Sequence, residues 1–175
     1  MFNNKSLNKT ELQINISDLL KSHNIPNYEL ESQILIAHSA KEEKFVNVDF
    51  HKIDYSKLEN MISIRIEGVP LAKIINQKGF WKNIFYTNND TLDPRADSEI
   101  IIENVLADQF ILNKKDPFFI DLCCGTGCLG ISLLDELNFS YCDFIDVSKE
   151  ALEVCRKNLL KINVNKRAYT FSSNL

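Results

Sequence analysis

Two acidic side chains, a pair of glycines and three cysteines are the residues whose types and spacing could carry chemistry. In the stretch 117–130, PFFIDLCCGTGCLG, the apolar run Phe118, Phe119, Ile120 leads to Asp121. Cys124, Gly125, Thr126 and Gly127 follow. Gly125 and Gly127 lack a Cβ, so the chain can turn sharply and a ligand can approach the backbone closely. A second short run, 141–145, ends in Asp146, about 20 residues beyond the glycines, the spacing of a ribose-binding acid in a nucleoside-binding βαβ unit. Asp146 is the ribose ligand this spacing selects. Cys123, Cys124 and Cys128 raise the question of a metal or a catalytic thiol. No histidine lies near them, and their spacing is not that of paired CxxC knuckles. They read as small buried residues around a tight turn, Cys142 and Cys155 read as core, and no metal site is expected.

Elements to hold these residues are legible around them. Strand, glycine turn and helix follow one another at 118–134, with Ile131, Leu133 and Leu134 opening a helical apolar pattern. The strands are expected to be parallel and covered on both faces, with the ligand at their carboxyl ends near unpaired helix amides. Ser148 is the expected N-cap of a helix carrying Ala151, Leu152, Cys155, Leu159 and Leu160 inward, and 167–171 reads as a third strand.

The first part of the chain has another character. Thr10 and Gln13 predict a capping box, after which Leu12, Ile16, Leu19 and Leu20 recur at helical spacing until Asn24-Ile25-Pro26. A second helix is expected over 28–39 with Leu30, Ile34 and Ala37 inward, and a third with Leu58, Met61, Ile62 and Arg65. His23, His38 and His51 read as surface or capping residues. Gly68-Val69-Pro70 ends this helical region, and 80–86 has the aromatic content of a short hairpin. Beyond it, Asp97 or Ser98 is positioned to cap a helix bearing Ile100, Ile101, Val105 and Leu106. Arg95 and Glu99 read equally as a surface pair or as part of an active-site wall.

Composition bounds the function. A chain of 175 residues, 45% hydrophobic, holds one ordinary core and a small extra domain. No apolar run approaches the roughly 18 residues of a membrane span, and the start has no signal-peptide core, so a cytoplasmic protein with reduced thiols is expected. Residues 1–90 balance 11 basic against 11 acidic side chains, whereas 91–175 carry 9 against 13. That imbalance disfavours a nucleic-acid partner.

Five motifs in order, R-x-x-G-x-P (65–70), the Phe80-Trp81 pair, L-x-P-R-x-D-S-E (92–99), D-L-x-x-G-T-G-C (121–128) and D-V-S-x-x-A-L (146–152), resemble the HemK-type peptide chain release factor N(5)-glutamine methyltransferases. The resemblance implies an α/β protein: a small helical domain at 1–70 that recognises the release factor, a β-hairpin linker at 71–95, and at 96–175 the first half of a Rossmann-like domain binding S-adenosyl-L-methionine. Residue by residue, it implies that Asp121, Cys124, Gly125, Thr126 and Gly127 form the cofactor loop, Asp146 binds ribose, Asn174 takes the place of an aspartate after the third strand, and Arg95 and Glu99 line the substrate pocket. Departures from the family pattern are Cys123 and Asn76 at usual glycines, Asp93 at an apolar position and Ala96 at a proline.

The family's Asn-Pro-Pro-Tyr motif, which orients the amide that receives the methyl group, does not occur in these 175 residues. The expectation is therefore an incomplete or split form without catalytic residues of its own, active only with a complementary C-terminal fragment. With strand order 3-2-1, the strand at 118–121 is left at an edge with one apolar face partly uncovered. The alternatives are a non-catalytic module that binds release factor or cofactor, and a nucleic-acid amino-group methyltransferase.

Overall fold

A computed structural model describes residues 8–174. The chain divides into two units, the first ending at Ile75 and the second beginning at Asn76.

The first unit is helical. Helix α1 (Lys9–Ser22) opens with a capping box, but its members are Asn8 and Glu11 rather than Thr10 and Gln13. Asn8 Oδ1 accepts from the Glu11 amide at 2.9 Å, and Glu11 returns the bond to the Asn8 amide. Asparagine is at least as good a cap as threonine, so the helix starts two residues before the expected position. Helix α2 (Tyr28–Ser39) turns inward Leu35, Ile36 and Ala37 together with Ser32 and Ser39. Leu30 is exposed and Ile34 only half-buried, because the serines satisfy themselves on carbonyls of their own helix and share the inner stripe. Helix α3 (Tyr55–Ile66) buries Leu58, Met61 and Ile62 as its spacing predicts. Arg65 at its end forks onto Glu31 of α2, at 2.6 and 3.2 Å, and reaches the Val69 carbonyl. That bidentate pair braces two helices and the turn at Gly68, whose φ of +99° requires glycine. The short helix α4 (Leu71–Ile75) follows. His23 caps α1, its Nδ1 donating to the Leu19 carbonyl, His51 is exposed, and His38 is half-buried, which lowers its pKa.

The second unit begins with a hairpin of strands β1 (Gln77–Phe80) and β2 (Asn83–Tyr86), antiparallel, with Gln77 opposite Tyr86. Phe80 and Phe85 are buried edge to face. Helix α5 (Glu99–Ala107) follows a 3-10 turn at Ala96–Ser98, and α6 (Gln109–Leu112) follows directly. Ser98 occupies the N-cap position without making a side-chain cap bond, since the preceding turn already supplies the helical entry. Ile102 is the residue of α5 that enters the core, whereas Ile100 and Ile101 are exposed.

Strands β3 (Phe118–Leu122), β4 (Tyr141–Asp146) and β5 (Ala168–Ser172) form a parallel sheet in the order β3-β4-β5, joined by helices α7 (Cys128–Glu136) and α8 (Lys149–Ile162). Ser148 caps α8 as expected, accepting from the Ala151 amide. Leu160, expected inward, is exposed, and Val154 and Asn158 complete the buried face instead.

The sheet is covered by helices on one face. Cys142 and Phe144 of β4 lie in one core with Ile131 and Leu134 of α7 and Leu152, Cys155 and Leu159 of α8, and Phe119 and Ala168 pack against it. The opposite face carries Phe118, Ile120 and Leu122 (50–59% exposed), with Tyr141, Tyr169 and Phe171 beside them. The expectation of helices on both faces is thus not met among the described residues, and the uncovered apolar surface extends across all three strands rather than along the edge alone. No helix among the described residues is long and apolar enough to cross a membrane.

Candidate functional site

The carboxyl ends of β3 and β4 bring together the residues that the spacing singled out. The segment 123–127 leaves β3 and is fastened at almost every peptide. The Cys124 amide donates to the Ile145 carbonyl (3.1 Å), the Gly125 amide to Asp146 Oδ2 (2.9 Å) and the Gly127 amide to the Cys124 carbonyl (2.7 Å). Gly125 and Gly127 have φ of +53° and +75°, so both use the left-handed region that favours glycine. A Cβ at Gly125 would meet nothing within 4 Å, which leaves an open approach to the backbone there. At Gly127 it would come within 2.7 Å of Cys155 Sγ and 2.9 Å of Ile131 Cδ1, so this glycine lets the loop lie on α7 and α8.

Cys123 is exposed and also left-handed, with φ of +57°. It is not one of the small buried residues expected at the turn. Its backbone explains why glycine is usual at this position, and Asn76, the other departure at a usual glycine, has φ of +52°. Ala96 opens the 3-10 turn, a first-turn position that suits proline. Asp93 accepts a 2.7 Å bond from Thr87 Oγ1, so the carboxylate at an apolar position is provided for.

Asp146 ends β4 and accepts from two backbone amides, Gly125 at Oδ2 and Ser148 at Oδ1 (3.0 Å). Each oxygen retains acceptor capacity for a hydroxyl donor, which suits a vicinal diol. Asp121 lies on the helix side of β3, and its Oδ2 accepts from the Gly130 amide of α7 at 3.0 Å. Burial pushes its carboxyl up to about 6; the Gly130 bond opposes this and the charge of Asp146 adds to it. Two carboxylates that sense one another at adjacent strand ends make the site electronegative. Such a site attracts a cation and repels a pyrophosphate.

Asn174 is exposed just beyond β5, at the same end of the sheet. Next to it, the Ser173 amide donates to the Asp146 carbonyl. Thr126 is buried. Glu99 accepts the Trp81 amide at 2.9 Å and so holds the left-handed hairpin turn, whereas Arg95 is exposed. Burial raises the Cys128 and Cys142 thiols, and the hydrogen bond with Cys124, followed by burial, raises that of Cys155, which disfavours the thiolate needed for nucleophilic or metal chemistry. Among the described residues, no group of three or more His, Cys, Asp or Glu side chains is placed to hold a metal ion.

Three side chains of this region escaped the sequence reading. Glu136 accepts from Trp81 Nε1 (2.6 Å) and pairs with Lys82, tying the hairpin turn to α7. Asn158 is fully buried and bonded to both the hairpin and the loop. Its signal was present, since it is the polar residue on an otherwise apolar face of α8, three positions after Cys155. Arg167 donates to the carbonyls of Leu134, Leu137 and Ser140 and closes the end of α7.

A strand-loop-helix with positive-φ glycines, followed by an acid at the end of the neighbouring strand, is the arrangement of an α/β methyltransferase domain. Consistent with this, residues 89–175 match the family model described as Methyltransferase small domain. The chain is 40% identical over 110 residues to a release factor glutamine methyltransferase of Mycoplasma mycoides, an alignment covering 62% of this chain and 38% of that protein. It is 35% identical over 150 residues to the enzyme of the same name from Leptospira interrogans, covering 83% of this chain and 52% of the relative. A bifunctional methyltransferase of Rickettsia felis is 29% identical over 188 residues, covering 90% and 36%. Over most of its length the chain is thus similar to release factor glutamine methyltransferases, and its second half matches a methyltransferase family model. It spans about half or less of the length of these relatives.

Proposed function

We propose that the second unit binds S-adenosyl-L-methionine and that the chain serves methylation of the glutamine side-chain amide of peptide chain release factors, with the helical first unit recognising the release factor. The pair of carboxylates, Asp121 and Asp146, carries the cofactor reading. The cofactor combines a ribose diol with a sulfonium cation, and when bound it supplies an electrophilic methyl group. Asp146 has acceptor capacity for the diol while its backbone bonds hold the glycine loop in place, and the joint negative charge favours a sulfonium over the pyrophosphate of a dinucleotide. The fit rests on these donors and acceptors and on the open backbone at Gly125.

The protein substrate rests on the relatives named above, and the amide-orienting Asn-Pro-Pro-Tyr lies, in this reading, in sequence outside these 175 residues. The apolar sheet face of Phe118, Ile120, Leu122, Tyr169 and Phe171 supports that view, since parallel sheets are ordinarily covered on both faces. Thermal shift with S-adenosylmethionine, and with NAD as the diol-bearing but phosphate-bearing comparison, tests the proposal. A rise in unfolding midpoint with the sulfonium compound alone is expected. A rise with NAD alone would assign the loop to dinucleotide binding instead.

A further inference from the structure

Asn158 lies in the middle of α8 with its carboxamide completely enclosed. Its Oδ1 accepts from the Tyr86 amide at 2.7 Å, and its Nδ2 donates to the Tyr86 carbonyl at 3.0 Å and to the Thr126 carbonyl at 2.9 Å. Both N–H groups of the side chain are thereby used, and the oxygen has one partner. Toward Tyr86, the amide acts as a neighbouring strand would, pairing with both backbone groups of the last residue of β2. Its third bond goes to the glycine loop.

The bonded peptide of the loop is the one that matters for ligand binding. The Thr126 carbonyl is held by Asn158, while the amide on the other side of the same peptide, that of Gly127, donates to the Cys124 carbonyl. Two residues before Gly127, the Gly125 amide meets Asp146. Asn158 therefore fixes the Thr126–Gly127 peptide, whose amide is bonded to the carbonyl of the Cys124–Gly125 peptide, the peptide that donates to the diol-binding acid. A planar carboxamide cannot follow a shift of Thr126 without weakening its two bonds to Tyr86, because all three share one rigid group.

We propose that Asn158 is a positioning residue that locks the glycine loop to the hairpin, so that occupation of the loop is transmitted to the Tyr86 backbone. This rests on the reading of the loop as a nucleoside site. The Tyr86 amide is already bonded to Asn158 and is not available to a ligand, so any response of that amide to binding has to pass through the protein.

Amide hydrogen exchange of the full chain tests this, with S-adenosylhomocysteine as the probe. In the wild type the probe is expected to slow exchange at Gly127 and also at Tyr86. In Asn158→Leu, which keeps the side-chain shape and removes all three bonds, exchange at Tyr86 and Gly127 in the ligand-free protein is expected to rise at least tenfold more than at Phe144 in the core. Affinity for the probe falls about tenfold, and Tyr86 no longer responds to it. Asn158→Ser gives the same readouts should the leucine variant fail to fold. Ser140→Ala, which removes another buried hydrogen bond, to the Leu137 carbonyl at the opposite end of the sheet, should leave both affinity and the Tyr86 response unchanged. Protection of the loop without any response at Tyr86, or an affinity within twofold of wild type in the Asn158 variants, overturns the proposal. Failure of the folded wild type to bind the probe overturns the cofactor reading instead, and the ligand-free exchange at Gly127 and Tyr86 then decides the role of Asn158.

Discussion

Replacing Asp121 by asparagine should stabilise the second unit, and only above a definite pH. The side chain is part-buried beside α7, with its carboxyl raised from 3.8 to about 6, first by burial and secondarily by the charge of Asp146. An aspartate with a raised folded-state pKa gives a contribution that is fully present below the unfolded pKa and is lost as pH rises through about 6. A shift of about two units corresponds to at most about 3 kcal/mol, and solvent screening of a part-buried group reduces it, giving roughly 1–3 kcal/mol. Asparagine keeps an oxygen for the Gly130 amide and removes the charge. The stability difference between Asp121→Asn and wild type is therefore near zero at pH 4 and grows to roughly 1–3 kcal/mol in favour of the variant by pH 7.5. Urea unfolding followed by fluorescence measures it, because Trp81 is the only tryptophan and lies in the second unit, where its indole is bonded to Glu136. A difference constant from pH 4 to 7.5 would refute the reasoning. The same substitution should weaken S-adenosylmethionine binding, since stability and an electronegative site oppose one another here.

Other substitutions separate backbone strain, packing and surface. Cys123→Gly relieves a left-handed non-glycine residue and should stabilise by about 0.5–1 kcal/mol, read from urea midpoints; no gain would mean that the φ of +57° carries no strain. Gly127→Ala places a methyl 2.7 Å from Cys155 Sγ at a positive φ and should destabilise by about 2–4 kcal/mol, whereas Gly125→Ala, with open space, should lose only about 1 kcal/mol. Ile120→Lys on the uncovered sheet face should change stability by less than about 0.5 kcal/mol and reduce self-association in sedimentation; a loss of several kcal/mol would show that the face is packed in solution.

What was legible in the sequence follows from how local the determining physics is. The βαβ order, the glycine turn and Asp146 at the end of β4 were readable because each depends on a few adjacent residues and a fixed spacing. The α1 cap was misplaced by two residues because Asn8 and Thr10 both suit the role, and side-chain geometry decides between them. Leu30, Ile34 and Leu160 were misassigned for a related reason. Their helices carry apolar residues around more than one face, so the buried stripe is selected by neighbours rather than by period. Cys123 shows the reverse case: nothing in its own chemistry predicts a left-handed backbone, and only its place in the loop imposes one. Glu99 holds a backbone amide and Glu136 an indole, both distant in sequence, and such bonds leave almost no local signal, whereas Asn158 is marked only by being polar on an apolar helix face.

The central claim is that the glycine loop and Asp146 form a site for a sulfonium nucleoside. Calorimetric titration of S-adenosylmethionine into the purified chain and into Asp146→Asn tests it most directly, with Trp81 emission confirming that both are folded. The account predicts one site in the wild type and an affinity roughly 10- to 100-fold lower in the variant, as for loss of a charge-assisted hydrogen bond. Equal binding by both proteins, or none by a folded wild type, would contradict it.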